Sequence, residues 1–313
     1  MENPKPTKAR PKVDTSHYFV DGYSSRKGLL GIVAFPNRLR GTDTEFTTFY
    51  CSLDGDWSHE TFDFDGRSVV YAGQPGTGEW WVLGKRGEVA RVGDDISYEQ
   101  VPEAGTGPDA NGYVNRIALI EDRLYVCGFR RQVCVRDASG WKRMDQGLLE
   151  PRSARGSSLE ALDGVAHDCL YAVGNKGQIW HFDGNSWRQC ACPTNVDLHE
   201  VRCVSRDQVL VVGQKGTVLL GSGDSWQVIT DDEFDEDLWG VETFGGEIYV
   251  AGYAGIGKVH ANGVTPVDTG LKRVALGYRL RAKEGVLWSI GNDDILAFDG
   301  KRWREVLCPD NAP

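Results

Sequence analysis

The densest group of ionisable side chains in this 313-residue sequence is an acidic run at residues 231–237, which reads DDEFDED and precedes Leu238 and Trp239. Its six carboxylates supply more than half of the formal net charge, because removing six negative charges from -10 leaves -4. Carboxylates at this density steer and orient a basic protein, and aromatic residues among them act as anchors inside a charged rim. The run therefore predicts a docking surface with these partner-binding residues: Asp231, Asp232, Glu233, Phe234, Asp235, Glu236, Asp237 and Trp239.

Two other interpretations of the acidic run stay open. A run of like charges commonly forms a solvated loop without a partner. Carboxylates also bind calcium, but adjacent acidic residues in an open loop rarely fold into a single coordination cage. A solvated loop is therefore the main alternative to a docking surface.

Motifs that would indicate catalysis or cofactor binding are missing from the sequence. It contains no G-x-S-x-G nucleophile motif, no Walker phosphate loop and no G-x-G-x-x-G dinucleotide motif. The six histidines lack ligand spacing, and Cys190 and Cys192 do not form a CxxC pair. The calcium-like segment Thr61–Gly66 begins with Thr and has Ala72 at its twelfth position. We therefore predict no catalytic residue, no cofactor and no metal, and a protein that is not an enzyme.

The elements that position the acidic run belong to an internal repeat. Strand-like apolar runs end in glycine at Gly84, Gly128, Gly174, Gly213, Gly252 and Gly291, with spacings of 44, 46, 39, 39 and 39 residues. A tryptophan follows most of these glycines at a nearly constant distance, and an earlier copy ends at Trp57. The repeat thus has seven Trp slots, at positions 57, about 98, 141, 187, 226, 265 and 303.

Each copy of the repeat divides into four short strands. In the clearest copy the predicted strands are Ser158–Leu162, Cys169–Val173, Gln178–Phe182 and Ser186–Cys190. A four-stranded unit of about 40 residues cannot bury both of its faces alone, whereas a radial stack of such units can.

The sequence therefore predicts an all-β fold, a β-propeller of seven four-stranded blades, with six blades as the alternative. We expect the propeller to form a single domain over residues 17–313, after a disordered tail at residues 1–16. The strand-ending glycines and the tryptophans are expected to pack one blade against the next. The acidic run would connect two blades at one rim.

The turn before the Trp slot carries a family resemblance. It reads DGNSW at residues 183–187 and DGKRW at residues 299–303, and it is degraded in other copies. These copies resemble the Asp-box repeats of sialidase-like domains and photosystem assembly-factor propellers. In such families the turn is structural and lies away from the central site, so the resemblance implies an architecture and no activity.

Composition indicates where the chain works and what it does not bind. A net charge of -10 argues against a nucleic-acid binder, which normally shows a basic patch. The sequence has no apolar run of about 18 residues, and its first residues lack the apolar core of a signal peptide. We expect a cytoplasmic protein without membrane contact, with reduced cysteines, that is monomeric before it binds a partner.

A propeller without a catalytic motif offers rigid rims for binding proteins. More narrowly, the chain resembles stand-alone bacterial propellers that act as immunity proteins against secreted toxins, including nuclease effectors of type VI secretion. This resemblance implies an antitoxin that binds a basic toxin domain and occludes its active-site surface. Two alternatives stay open: an assembly factor or scaffold, and a glycosidase or other hydrolase, whose central funnel would need converging arginines such as Arg130, Arg131, Arg279 and Arg281.

Overall fold

The computed structural model describes residues 14–74, 76–154, 156–229, 234–271 and 277–311. These residues form seven sheets, each of four antiparallel strands that follow one another along the chain. The predicted all-β, seven-bladed β-propeller is therefore confirmed, and the six-bladed alternative is wrong. Most of the predicted tail, residues 1–13, lies outside the described residues. No helix within the described ranges is long and apolar enough to cross a bilayer.

The strands are numbered along the chain, four to a blade. Blades 1 and 2 comprise β1 (His17–Arg26), β2 (Leu29–Pro36), β3 (Thr47–Leu53), β4 (Asp56–Phe62), β5 (Gly66–Ala72), β6 (Glu79–Gly84), β7 (Glu88–Val92) and β8 (Ile96–Gln100). Blades 3 and 4 comprise β9 (Val114–Ile120), β10 (Arg123–Gly128), β11 (Val133–Asp137), β12 (Gly140–Arg143), β13 (Leu159–Ala166), β14 (Cys169–Gly174), β15 (Gln178–Phe182) and β16 (Trp187–Gln189). Blades 5 and 6 comprise β17 (Leu198–Ser205), β18 (Gln208–Gly213), β19 (Val218–Ser222), β20 (Ser225–Ile229), β21 (Leu238–Phe244), β22 (Glu247–Gly252), β23 (Gly255–His260) and β24 (Gly263–Pro266). Blade 7 comprises β25 (Gly277–Lys283), β26 (Val286–Gly291), β27 (Ile295–Phe298) and β28 (Trp303–Glu305). Short 3₁₀ turns lie at Asn37–Leu39, Asn175–Gly177 and Pro309–Asn311.

All seven Trp slots lie on the fourth strand of a blade. Trp187 is buried in a cluster that joins blades 3 and 4, and its indole N–H donates to the Met144 carbonyl of the preceding blade (2.8 Å). The predicted packing between blades is therefore correct for this tryptophan.

The strand-ending glycines have a different role from the packing that we expected of them. A Cβ on Gly174 would lie 1.9 Å from the Ser158 carbonyl oxygen, and one on Gly213 would lie 2.2 Å from that of Asp197. Both oxygens belong to the connection that enters the same blade. Glycine is thus required because the entering chain passes against the end of the second strand.

The Asp-box turn is structural, as the resemblance implied. The Asp183 carboxylate accepts hydrogen bonds from the N–H groups of Asn185 and Ser186, both at 2.9 Å. Asp299 accepts the equivalent pair of bonds from residues 301 and 302. In each case the carboxylate closes the tight turn between the third and fourth strands.

The ring closes without strand exchange, because each blade is built from four consecutive strands. Blades 1 and 7 instead meet through a shared apolar cluster and through the C-terminal turn. The Asn311 side chain forms two hydrogen bonds with the His17 backbone, accepting from its N–H (2.7 Å) and donating to its carbonyl (2.8 Å). The Phe19 N–H also donates to the Asn292 carbonyl (2.6 Å).

The first strands of successive blades contact one another around the ring and line its central channel. Every first strand begins at the same rim, which we call the entry rim. This rim carries the connections from each fourth strand to the next first strand, including residues 190–197 and 234–237. The described part of the acidic run, residues 234–237, therefore lies on a rim, as predicted.

Candidate functional site

The acidic run forms part of the connection from β20 of blade 5 to β21 of blade 6, which we call the acidic connection (residues 230–237). Asp231, Asp232 and Glu233 lie outside the described residues, so their assignment stays a prediction. Asp235 and Glu236 are exposed, and within the described part of the chain their carboxylates have no hydrogen-bond or ion-pair partner. These two side chains are free to meet a binding partner.

Phe234 points into the protein. Its side chain is 2% exposed and packs between blades 5 and 6, in a cluster that includes Leu210, Val218, Leu238 and Val250. This burial corrects the expectation that Phe234 is a partner-facing anchor. The ring fixes the connection to the propeller, and the acidic sequence around it concealed an ordinary core residue.

Asp237 also serves the scaffold. The Lys215 N–H donates to its Oδ1 atom (3.1 Å), and the Gly216 N–H donates to the neighbouring Glu236 carbonyl (2.7 Å). The Oδ2 atom of Asp237 lies 3.9 Å from Nε2 of His199. One carboxylate of the run therefore holds the connection against the β18–β19 loop.

The preceding blade repeats this arrangement without the acidic run. The Lys176 N–H donates to Oδ1 of Asp197 (2.8 Å), and the Gly177 N–H donates to the Val196 carbonyl (2.7 Å). Asp197 is thus the counterpart of Asp237. By the same register, Asn195 and Val196 occupy the places of Asp235 and Glu236.

Trp239 follows the acidic connection and lies at the entrance of the central channel. Its ring is stacked between His199, with centroids 3.8 Å apart, and Tyr278, with centroids 5.1 Å apart. Tyr278 in turn shares a hydroxyl–hydroxyl hydrogen bond of 3.2 Å with the exposed Tyr253. Trp239 therefore belongs to an aromatic wall, in which His199 and Tyr278 stack on its ring.

A β-bulge near the entry rim interrupts every first strand. A bulge inserts one residue and re-aims its side chain. The bulged residues all line one cavity of about 270 Å³ at the entry end of the channel, which we call the mouth: Val20, Arg67, Asn115, Glu160, His199, Trp239 and Tyr278.

Below the mouth, a buried ionic network crosses the channel and joins blades 1, 3, 5 and 7. The Arg116 guanidinium lies 3.3 Å from the Asp21 carboxylate and 2.9 Å from the Glu200 carboxylate. Arg279 bridges the same two acids at 3.3 and 3.4 Å. This layer separates the mouth from a second cavity of about 140 Å³ deeper in the channel.

Asp21 and Arg279 keep their charges at neutral pH. Burial alone would raise the pKa of Asp21, but Arg116 and Arg279 outweigh it and hold that pKa below its usual value. Burial and the charge of Arg116 lower the pKa of Arg279 to about 10. Two guanidinium groups therefore neutralise two carboxylates inside the ring, as a buried ionic cluster requires.

The arginines that a hydrolase would need are divided between two places. Arg279 and Arg281 lie in the channel, within 3.4 and 4.0 Å of Glu200. Arg130 and Arg131 lie instead on the β10–β11 loop of the entry rim, where both bond to Glu150. Across the described ranges, no group of three or more His, Cys, Asp or Glu side chains could hold a metal ion.

The sequence analysis did not predict the mouth, although its bulged residues share a position in the repeat. Each bulged residue lies 13 to 17 residues before a strand-ending glycine in blades 2 to 7, for example Glu160 before Gly174 and Trp239 before Gly252. Aligning the repeat copies upstream of the glycine would have collected these residues. The bulge that turns them toward the channel has no signature in a single sequence.

The comparisons with known proteins place the chain among immune proteins. No protein-family model matches it. The immune protein Tsi7 of Pseudomonas aeruginosa is 36% identical over 227 residues, which cover 72% of this chain and 74% of Tsi7.

Solved structures share the fold at low identity. The WD40 propeller domain of Doa1 gives a TM-score of 0.67 at 11% identity, covering 90% of this chain and 92% of that one. YCF48 from Cyanidioschyzon merolae gives 0.65 at 15% identity, covering 91% and 96%. Virginiamycin B lyase from Staphylococcus aureus gives 0.62 at 12% identity, covering 78% and 84%. These likenesses support the propeller alone, whereas the identity to Tsi7 extends over most of both sequences. The chain therefore belongs to the family of immune proteins that includes Tsi7.

Proposed function

We propose that this chain is an immunity protein that binds a cognate bacterial toxin and neutralises it by covering the toxin's active-site surface. The observation that carries this proposal is the 36% identity to the immune protein Tsi7 over 72% of the chain. A propeller supports the same role, because its rigid rims present loops that need little ordering when a protein binds. Membership of this family favours an immunity function over an assembly factor or scaffold.

The acidic connection supplies the docking surface in this proposal. Asp235 and Glu236 are exposed and have no partner among the residues that the structure describes, and the connection that carries them is held by the buried Phe234 and by the Lys215–Asp237 hydrogen bond. Fixed carboxylates of this kind steer a basic partner and set its orientation. We propose a basic toxin domain, such as a nuclease whose phosphate-binding groove the carboxylates would occupy.

We further propose that the chain acts without catalysis. A glycosidase of the sialidase type would need a cluster of free guanidinium groups in the channel, whereas Arg116 and Arg279 are both engaged by Asp21 and Glu200. Neutralisation would then result from binding alone, in the cytoplasm, by a monomer that meets a type VI secretion effector. Only stoichiometric inhibition is compatible with this mechanism.

The test uses the purified toxic domain encoded beside the gene of this chain. Equimolar chain should form a one-to-one complex by size-exclusion chromatography with light scattering, and the toxic activity should fall in proportion to the chain added. Nuclease activity on plasmid DNA is the first activity to assay. The proposal fails if the two proteins elute separately and the toxin keeps its activity.

A further inference from the structure

The mouth of the channel has the size of a site for a protein side chain. Its volume of about 270 Å³ is slightly below the range of about 300–1,000 Å³ that is usual for small-molecule sites. It opens on the entry rim, beside the acidic connection, because Trp239 lines the mouth and lies two residues after the end of that connection. A protein docked on the acidic connection would therefore bring its own surface side chains to the mouth.

Two charged side chains of the mouth, Glu160 and Arg67, lack a direct partner among the described residues. Glu160 is half-buried and Arg67 is exposed, and neither forms a hydrogen bond or an ion pair with another described residue. An unpaired carboxylate that is partly removed from water costs more free energy than an exposed guanidinium. Glu160 therefore gains the most from a ligand of opposite charge.

Two nitrogen atoms of the aromatic wall beside Glu160 also lack a hydrogen-bond partner within the described residues. His199 is 8% exposed, and its Nε2 atom, 3.9 Å from Asp237, has no hydrogen-bond partner in the described part of the chain. The Trp239 indole N–H, on the ring stacked against it, is likewise buried and unpartnered. The stacked rings give an apolar surface, which suits the aliphatic stem of a long charged side chain.

From these observations we propose that the mouth receives a lysine or arginine side chain of the toxin, whose cation pairs with Glu160 and whose stem packs on the His199–Trp239–Tyr278 wall. This inference rests on the proposed function, since the toxin supplies the side chain. It deepens that function by separating two kinds of contact. Asp235 and Glu236 act on the rim, whereas Glu160 acts inside the closed interface.

The two contacts have different kinetic signatures. Removing a rim charge mainly slows association, whereas removing one partner of a desolvated charge pair mainly speeds dissociation. Glu160→Gln keeps the shape of the side chain and removes only its charge. Glu60→Gln is the matched control, because Glu60 is exposed on β4, at the outer edge of blade 1, and has no partner among the described residues.

The experiment measures association and dissociation of the purified toxic domain by surface plasmon resonance. Glu160→Gln should raise the dissociation rate constant by at least about tenfold with an almost unchanged association rate constant, while Glu60→Gln should match the wild type. In a double-mutant cycle, the loss should be shared with a single lysine or arginine of the toxin. Equal thermal unfolding of the variants confirms that each is folded.

The outcomes separate the two proposals. If Glu160→Gln dissociates at the wild-type rate, the mouth is not part of the interface, although the immunity function stands. Coupling of the mouth to an acidic toxin residue through Arg67 would also overturn the inference. A wild-type chain that forms no complex overturns the proposed function, and the inference with it.

Discussion

The connection that enters blade 5 and the one that enters blade 6 are the same structural element with different surfaces. Asp197 and Asp237 accept equivalent hydrogen bonds from Lys176 and Lys215, at 2.8 and 3.1 Å. The three residues before each aspartate differ, since residues 194–196 read TNV whereas residues 234–236 read FDE. The scaffold therefore needs the aspartate that ends each connection but needs no other carboxylate.

This difference teaches which parts of the acidic run are candidates for function. A residue with a counterpart in the plain connection is explained by the fold alone. Asp237 has that counterpart, and Phe234 is explained by its burial. Asp235 and Glu236 have neither explanation, and so the function that we propose for the run depends on them.

The largest expected effect separates the two connections by their packing. Phe234→Ala should lower the free energy of unfolding by about 3–5 kcal/mol, because it leaves a cavity between blades 5 and 6. The matched change Thr194→Ala, at the half-buried equivalent position, should cost less than about 1 kcal/mol. Urea denaturation measures both, and similar losses would show that Phe234 does not hold the connection.

An intermediate loss of stability, equal in both connections, is expected at the two equivalent aspartates, Asp197 and Asp237. Asp197→Asn and Asp237→Asn each weaken one charge-assisted hydrogen bond to a backbone N–H, so each should cost about 1 kcal/mol. Urea denaturation of the two variants side by side is the measurement. If only Asp237→Asn destabilised the protein, the two aspartates would not be counterparts.

The smallest effect on stability is expected at the residues proposed for function. The double variant Asp235→Asn, Glu236→Gln should unfold within about 0.5 kcal/mol of the wild type, because neither carboxylate is paired within the described residues. Thermal and urea unfolding should both show this. A loss above about 1 kcal/mol would assign these carboxylates to the scaffold as well.

Acidification should also distinguish the two connections. Burial lowers the pKa of His199, which lies 3.9 Å from Asp237. The bulged residue at the equivalent position of the preceding blade is Glu160 rather than a histidine. As the pH falls, a histidine of the unfolded chain, with a pKa of about 6.5, is therefore protonated before His199 of the folded chain. The stability that neutral His199 contributes is present above about pH 6.5 and is lost as the pH falls through the folded pKa.

The measurement is the melting temperature between pH 7.5 and 5.5. His199→Gln should reduce the fall on acidification. Burial also lowers the pKa of His17 and His181, so part of the fall should remain in His199→Gln. An unaltered pH profile in His199→Gln would contradict the assignment.

The sequence predicts the ring well because its signals are local and repeated. A glycine that ends a strand and a tryptophan near the start of the outer strand recur in most copies. The glycine has a steric cause within its own blade, and the tryptophan packs only on the neighbouring blade. Blade 1 is the exception. Its second strand, β2, ends at Pro36 without a glycine, and its first half was found only in the structure.

The channel could not be predicted in the same way. Arg116 meets Asp21 and Glu200 across sequence separations of 95 and 84 residues, and only closure of the ring brings these side chains together. For the acidic run, the sequence identified the segment but could not assign a role to each of its residues. Composition marked all of its residues alike, whereas burial and backbone hydrogen bonds divide them between scaffold and surface.

The most direct test of the central claim compares two variants that lose the same number of carboxylates. One carries Asp231→Asn, Asp232→Asn, Glu233→Gln, Asp235→Asn and Glu236→Gln, and leaves Phe234 and Asp237 intact. The control carries Asp54→Asn, Asp56→Asn, Asp94→Asn, Asp95→Asn and Asp207→Asn, which are exposed on or directly beside turns of the opposite rim. The measurement is the association rate constant with the toxic domain at several salt concentrations.

At low salt, neutralising the acidic connection should slow association by about tenfold or more and flatten its salt dependence, while the control should change both much less. Equal effects of the two variants would mean that net charge alone attracts the toxin. An unchanged rate in the acidic-connection variant would contradict the claim that this connection docks the partner.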